Sequence, residues 1–231
     1  MHYIVISSPS GGGKTTICNM LLQNEVSPIY NNVSFSISAT TRPKREHELH
    51  GREYFFLSHN EFNSIIRKNE FLEYATVCGN LYGTPIKGVS KEKHTLFDID
   101  FQGFEQIQSH CKKYQKPLLS IFLLPPSLDV LRQRLQSRGD IRSDVIEARM
   151  ENAISEILHS QKYDFILTNH NISSTFANVS NIVKSVVCNS GEVPANVQSI
   201  ANSIRNIVIA NDTNSYLNEA LKITKGCQPA L

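Results

Sequence analysis

The sequence lacks the features of a secreted, membrane-spanning or nucleic-acid-binding protein. Its first apolar run is short and follows no basic segment, so we expect neither a signal peptide nor a membrane span. The net charge of +2 gives no basic excess, and we therefore predict no nucleic-acid partner. The eight histidines are scattered without a metal-binding spacing. These absences favour a soluble cytoplasmic chain.

The five cysteines form no C-x-x-C pair, and their odd number argues against a disulfide framework. Reduced thiols in a cytosolic protein are the simplest interpretation. With 231 residues, 40% hydrophobic and 19% charged, the composition is typical of an ordinary globular chain with one sizeable domain. Internal repeats and low-complexity tracts are also absent.

The most informative stretch is a glycine-rich segment between an apolar run and an amphipathic run. Residues 8–15 read Ser-Pro-Ser-Gly-Gly-Gly-Lys-Thr. Glycines let backbone N–H groups converge on phosphate oxygens, and a helix that starts there presents its positive end. Lys14 can reach the β- and γ-phosphates, and the Thr15 hydroxyl can bind Mg²⁺. The predicted ATP-binding residues are Ser8, Pro9, Ser10, Gly11, Gly12, Gly13, Lys14, Thr15 and Thr16.

Ser8 departs from the Gly-x-x-x-x-Gly-Lys-Thr pattern, in which glycine takes the first position. The alternative is a glycine-rich turn without a ligand. That alternative is disfavoured because Gly13, Lys14 and Thr15 open a predicted helix directly after an apolar strand.

Strands and helices alternate along the chain, which predicts an α/β fold with a parallel sheet and helices on both faces. Buried strands are predicted at 95–100, 118–124 and 163–168, and a half-buried strand at 33–38. Acids at the carboxyl end of the 95–100 strand, Asp98 and Asp100, are placed as expected beside a phosphate loop. Two stretches do not fit the sheet, strand-rich 34–90 and arginine-rich 132–149.

A basic segment follows the 33–38 strand. Arg42 and Arg45 are separated by Pro43 and Lys44, and the proline disfavours a helix. Taken alone, the segment could also be a solvated basic loop.

The ordered set of motifs resembles nucleoside monophosphate kinases and, among them, the guanylate kinase family, from about Tyr3 to about Val187. The resemblance is carried by 38–45 (SATTRPKR), 50–56 (HGREYFF), 71–73 (FLE), 79–84 (GNLYGT), 98–103 (DIDFQG) and 138–139 (RG). It implies Mg²⁺-dependent transfer of the γ-phosphoryl group of ATP to GMP or dGMP, giving ADP and GDP, in purine nucleotide metabolism.

The resemblance also implies an organisation and residue roles. The guanylate kinase-like domain would span 1–188, with core 1–33, 91–130 and 160–188, a strand-rich GMP-binding insert 34–90 and a helical lid 131–159. Arg42, Arg45, Tyr54 and Tyr82 would hold the acceptor phosphate, and Ser38, Glu73 and Thr84 would read guanine. Asp98 and Asp100 would lie near the base, the arginines and the metal, with Thr15 and, through water, Asp98 binding Mg²⁺. Lys14, Arg134, Arg138 and Arg149 would act on the transferring phosphoryl group.

Several positions depart from the family pattern. Thr84 stands where serine is frequent, Asn169-His170 where Asn-Asp is usual, and Ile141-Arg142 in a lid segment that is usually acidic or threonine-rich. The stretch 189–231 lies outside the resemblance. Its helical periodicity predicts a C-terminal helical extension that packs on the core or on a second subunit, which would make a homo-oligomer.

Two rival functions remain open at this point. A guanylate kinase-like fold can serve as a peptide-binding module, but then the phosphate loop is degraded, whereas here it is complete. A kinase for another monophosphate, or another P-loop NTPase, would have no use for a carboxylate such as Glu73 facing ring N–H donors.

Overall fold

The computed structural model describes residues 1–23, 28–77, 79–137 and 143–188. The chain divides into two units, which are described separately. The first unit combines Met1–Ser7 with Cys18–Leu119, and the second combines Ser8–Ile17 with the chain from Ser120. The predicted extension 189–231 lies outside the described residues. The division into core, insert and lid stays a prediction.

The first unit contains three parallel strands, β1 (Tyr3–Ser7), β2 (Val33–Phe35) and β7 (His94–Asp98). The central strand β7 pairs with β1 on one side and with β2 on the other. The strands are rich in β-branched and aromatic residues, and β1 is buried along its whole length. The register places Asp98 opposite Ile6, so the acid stands at the carboxyl end of the pair.

A second sheet in this unit follows the order β4-β3-β6-β5. Its strands are β3 (Ala39–Thr40), β4 (Phe55–Phe56), β5 (Phe71–Val77) and β6 (Asn80–Pro85). The β5 and β6 strands form an antiparallel hairpin in which Val77 pairs with Asn80. Gly79 has φ +78°, a conformation that glycine adopts without strain.

The predicted strand over 33–38 is wrong in its extent. The strand β2, which pairs with β7, ends at Phe35, and the next strand, β3, begins only at Ala39 and pairs with β4 and β6. The alternation of apolar and polar residues therefore indicated extended chain correctly. It could not show that the chain leaves one sheet and joins another after Phe35.

Two helices of the first unit begin at side-chain caps. The helix α3 (His59–Arg67) starts with a capping box between Ser58 and Glu61, and α4 (Phe101–Lys113) starts at Asp100, which accepts a hydrogen bond from the Gly103 N–H at 2.9 Å. The earlier helices are α1 (Lys14–Gln23), which begins in the second unit, and α2 (Pro28–Asn32).

The second unit contains the parallel pair β8 (Leu118–Leu124) and β9 (Phe165–Thr168), with Ile121 opposite Phe165 and Leu124 opposite Thr168. Its further helices are α5 (Leu128–Ser137), α6 (Ser143–Leu158) and α7 (Ile172–Cys188). Their apolar faces are buried, as at Leu131, Ile154 and Val183. Over the described residues, the helices are all too short or too polar to cross a membrane.

Candidate active site

The glycine-rich segment forms a tight loop between β1 and α1. The Gly12 N–H donates to the Pro9 carbonyl at 2.8 Å, and the Ile17 N–H donates to the Gly13 carbonyl at 3.1 Å, which starts the helix. Gly11 and Gly13 have φ of +90° and +98°, where side chains are strained. The loop therefore ends at a helix N-terminus, the arrangement that binds phosphate through backbone N–H groups.

Asn169, just after β9, buttresses this loop. Its side-chain Nδ2 donates to the Gly12 carbonyl at 2.9 Å, and its own N–H donates to the Leu124 carbonyl at 2.7 Å. A Cβ added at Gly13 would lie 2.4 Å from Asn169 Nδ2, so only glycine fits. Sequence reasoning missed this role, and the available signal was an amide residue at the carboxyl end of a parallel strand.

Ser8 is accommodated beneath the loop. Its side chain is buried, and its hydroxyl donates to the Pro9 carbonyl at 3.0 Å. A Cβ at Gly12 would lie 2.7 Å from the Ser8 Cβ and Oγ. The serine therefore occupies space that Gly12 leaves open, which accounts for the departure at the first position of the motif.

The basic segment of the first unit is organised by an acid that sequence analysis passed over, Glu48. Arg42 Nη2 donates to Glu48 Oε1 at 2.7 Å and Arg42 Nη1 donates to Oε2 at 3.0 Å. Burial opposes charge on both groups, but their mutual hydrogen bonds outweigh it, raising the pKa of Arg42 and lowering the pKa of Glu48. Arg42 is therefore held in an ion pair, whereas Lys44 and Arg45 of the same segment are exposed.

Two predicted tyrosines stand beside Arg42. Its guanidinium lies 5.6 Å from the ring centroid of Tyr54, and the Tyr82 hydroxyl interacts with it and contributes to its raised pKa. The Tyr54 and Tyr82 rings pack edge to face with their centroids 5.9 Å apart. Arg45 is more exposed, with Nη1 4.0 Å from Glu48 Oε1. The structure thus brings all four predicted acceptor-phosphate residues into one region.

The three residues predicted to read a base are also neighbours. Glu73 on β5 pairs across the hairpin with Thr84 on β6, and Thr84 Oγ1 lies 3.4 Å from Ser38 Oγ. Glu73 is only 3% exposed, so it is not a solvated acid. A Cβ at Gly103 would lie 2.6 Å from Glu73 Oε2, so the carboxylate packs against the first turn of α4.

Two glutamines of α4 hold the backbone of β5. Gln106 accepts from the Tyr74 N–H at 3.1 Å and donates through Nε2 to the Tyr74 carbonyl at 2.7 Å. Gln102 Nε2 donates to the Thr76 carbonyl at 3.3 Å. These bonds fix the strand residue next to Glu73, and no motif indicates the role of Gln106.

Asp98 and Asp100 lie at different points of the β7–α4 connection. Asp98 ends β7 and is half-buried, whereas Asp100 caps α4 through Oδ1. Among the described residues, no cluster of three or more His, Cys, Asp or Glu side chains could hold a metal on its own.

The predicted lid arginines lie on α5 and α6. Arg134 Nη2 donates to the Asn169 carbonyl at 3.3 Å, and Arg149 is half-buried on α6. The helices are linked by a bidentate ion pair between Arg132 and Glu147. Arg138 and the 141–142 departure lie outside the described residues.

A strand that leads through a glycine-rich loop into a helix, beside parallel strands, defines the chain as a P-loop α/β protein of the nucleotide-binding class. Residues 1–186 match the family described as guanylate kinase. The guanylate kinase of Novosphingobium aromaticivorans is 43% identical over 183 residues, 78% of this chain and 79% of that protein. The guanylate kinase of Nitrosomonas europaea is 42% identical over 184 residues, 78% of this chain and 87% of that protein.

The fold also resembles the crystal structure of guanylate kinase from Anaplasma phagocytophilum. The TM-score is 0.62 at 33% identity, covering 79% of this chain and 84% of that one. The chain belongs to the guanylate kinase family, a family of phosphotransferases. Both the predicted membership and the predicted P-loop α/β fold are confirmed.

Proposed function

We propose that this protein transfers the γ-phosphoryl group of ATP to GMP or dGMP with Mg²⁺, giving ADP and GDP or dGDP in purine nucleotide metabolism. The observation that carries the proposal is the buried carboxylate of Glu73, directly across from Thr84 and close to Ser38. Guanine presents N1–H and the exocyclic N2 amine side by side. An ionised carboxylate accepts from both, and the two hydroxyls offer further polar contacts.

The acceptor phosphate is assigned to the region around Arg42. Guanidinium groups suit a phosphate dianion, and Tyr54 and Tyr82 supply neutral hydroxyl donors. The guanidinium of Arg42 lies over the Tyr54 ring and is bound by both Glu48 oxygens, which supports a preorganised site. Asp100 would act here chiefly through the start of α4, which it caps.

The ATP phosphates are assigned to the loop at 8–16, with Lys14 reaching the β- and γ-phosphates. Magnesium that bridges nucleotide phosphates needs only one or two protein oxygen ligands, so the absence of an acidic cluster from the described residues does not conflict with it. Thr15 offers a hydroxyl in the first turn of α1, and Asp98 offers a carboxylate that can act through water. When bound, the ion would neutralise charge on the phosphates.

The transferring group carries negative charge on its equatorial oxygens. Lys14 and the arginines of the lid, Arg134, Arg138 and Arg149, are assigned to stabilise that charge in the transition state. Arg134 is suited to this because its contact with the Asn169 carbonyl ties it to the residue that supports the phosphate loop.

A coupled assay of ADP release tests the proposal with GMP, dGMP, AMP, UMP and no acceptor, each with and without Mg²⁺. We expect turnover with GMP and dGMP only, and its loss on chelation of the metal. Equal turnover with AMP would overturn the guanine assignment. ATP hydrolysis that is indifferent to acceptors would instead indicate an NTPase, and no turnover with any acceptor would favour the peptide-binding module.

A further inference from the structure

We propose that Glu48 is a positioning residue for the acceptor phosphate, because it holds one edge of the Arg42 guanidinium and leaves the other edge for the ligand. The inference deepens the proposed function and rests on it. Glu48 has no predicted role in the sequence motifs above, and it is one of the few buried acids of the described chain, at 4% exposure.

The Glu48 carboxylate joins two parts of the basic segment. Its two oxygens accept from Arg42 Nη2 and Nη1 at 2.7 and 3.0 Å, and Oε2 also accepts from the Arg45 N–H at 2.8 Å. The Glu48 N–H donates back to the Arg45 carbonyl at 3.2 Å. One carboxylate therefore closes the turn that carries Arg45 and fixes the side chain of Arg42.

Glu48 uses only some of the N–H donors of Arg42. A guanidinium has five N–H groups on two usable edges, the end-on edge Nη1/Nη2 and the side-on edge Nε/Nη2. Glu48 takes the end-on edge, and the Pro43 carbonyl accepts from Nη1 at 2.6 Å. These three bonds leave two N–H groups, the Nε–H and one Nη2–H, to serve both the Tyr82 hydroxyl, which hydrogen-bonds to Arg42, and a phosphate oxygen.

Aromatic side chains surround the Arg42 guanidinium and restrict its orientation. The Arg42 guanidinium lies 5.6 Å from the Tyr54 ring centroid and 5.7 Å from the Phe56 ring centroid, and it interacts with the Tyr82 hydroxyl. Glu48 and the aromatic rings thus restrain the guanidinium together. Its remaining N–H groups therefore face the same group of side chains as the two phenols assigned to the phosphate.

A negative charge beside a phosphate site opposes phosphate binding by simple Coulomb repulsion. If Glu48 acted mainly as a counter-ion to two arginines, neutralising it would strengthen the binding of GMP. If Glu48 positions Arg42, neutralising it replaces one acceptor by an amide NH₂ that faces a guanidinium donor, and GMP binding weakens. The sign of the effect therefore separates positioning from charge balance.

The experiment compares Glu48→Gln with a matched control, Glu53→Gln, in the otherwise unchanged full-length protein. Glu53 lies five positions along the same loop, pairs with Arg52 and accepts from the Leu49 N–H, and makes no contact with Arg42. We expect Glu48→Gln to raise the KM for GMP by about 10-fold, with the KM for ATP unchanged. Glu53→Gln should leave both constants within about two-fold.

Two binding measurements locate the effect. Measured by calorimetry, Glu48→Gln should weaken the binding of GMP by about 10-fold. The binding of guanosine, which has no phosphate, should be unaffected. In an Arg42→Ala background, Glu48→Gln should add less than about two-fold, because the group that Glu48 positions is gone. Equal losses for GMP and guanosine, or a full additional loss without Arg42, would show a merely structural role and overturn the proposal.

Other outcomes separate failure of the role proposed for Glu48 from failure of the proposed kinase function. Unchanged or tighter GMP binding by Glu48→Gln overturns the inference while the kinase function stands. Failure of the wild-type protein to use GMP defeats the proposed function itself. If Glu48→Gln does not fold, Glu48→Asp replaces it. The side chain is one methylene shorter, so it keeps the charge but cannot reach Arg42 from the same backbone position, and the same selective rise in the KM for GMP is expected.

Discussion

The phosphate loop and the acceptor region, defined as the side chains around Arg42 and Glu73, are both assigned to hold nucleotide, but they are built differently. The loop comes from nine consecutive residues, and its donors are backbone N–H groups shaped by Gly11 and Gly13. The acceptor region draws side chains from positions between 38 and 84, through a hairpin register and a buried ion pair. One is specified locally and the other by long-range pairing, so they should fail in different ways.

The largest effect is expected at Lys14, which supplies the positive charge of the phosphate loop. Lys14→Ala should lower kcat by about 10³-fold or more, because no other group of the loop can balance the transferring charge. Steady-state kinetics measure this, and Lys91→Ala, at an exposed bend, is the matched control. A folded Lys14→Ala protein with unchanged turnover would remove the basis of the phosphate-loop assignment.

The next effect tests the backbone of the loop. Gly13→Ala places a methyl group 2.4 Å from Asn169 Nδ2 at φ +98°. Strain of roughly 1–3 kcal/mol and a displaced loop should reduce kcat/KM for ATP by about 100-fold. Gly88→Ala is the control, since its Cβ would meet nothing closer than 3.8 Å. If both variants keep wild-type kinetics, the loop is not held by Asn169 as described.

The acceptor region should be sensitive to a single atom. Glu73→Gln keeps the shape but exchanges an acceptor oxygen for an NH₂ donor facing guanine. We expect kcat/KM for GMP to fall roughly 10- to 100-fold and the preference for GMP over AMP to narrow. Steady-state kinetics with GMP and with AMP provide the test. The kinetic constants for ATP should stay the same. An unaltered GMP/AMP ratio would mean that Glu73 does not read the base.

A smaller effect is expected from the support behind Glu73. Gln106→Ala removes both hydrogen bonds to Tyr74, so it should raise the KM for GMP a few-fold and lower the free energy of unfolding by about 1–2 kcal/mol. The matched control is Gln108→Ala on the same helix, because the Gln108 side chain accepts from Lys112 and not from β5. Indistinguishable behaviour of the two variants in kinetics and urea unfolding would argue against this support.

The smallest effect is expected on acidification, and it concerns the stability that Glu48 contributes in the acceptor region. The hydrogen bonds from Arg42 and Arg45 outweigh burial and lower the pKa of Glu48 below 4.5, so its stabilising contribution is complete above pH 4.5 and is lost as the pH falls through the lowered value. The difference in unfolding free energy between wild type and Glu48→Gln should therefore shrink between pH 6 and about pH 3. Glu92→Gln, at an exposed bend, should show no such trend.

The local features were predictable from the sequence. The glycine-rich loop, the α3 cap at Ser58 and the turn at Gly79 each depend on residues only a few positions apart, and the structure contains all three. The motif resemblance also pointed to Arg42 and Glu73, and the structure places each among the expected neighbours.

The features that escaped prediction depend on partners distant in the chain or on contacts without a motif. Asn169 reaches Gly12 across 157 positions, and Gln106 reaches Tyr74 across 32. The strand over 33–38 was misjudged because sheet membership is decided by pairing with β7 and β6. Glu48 is close to Arg42 in sequence, but a polar loop gives no sign that a carboxylate within it is buried.

The glutamines that bind β5 have a consequence beyond the site. In the described sheet, β5 is an outer strand, and outer strands offer unpaired backbone groups on which another chain can add and aggregation can begin. Gln106 occupies the N–H and carbonyl of Tyr74, and Gln102 occupies the carbonyl of Thr76. Side-chain amides thus take the place of a neighbouring strand along part of the outer edge of β5, and they should hinder intermolecular strand addition there.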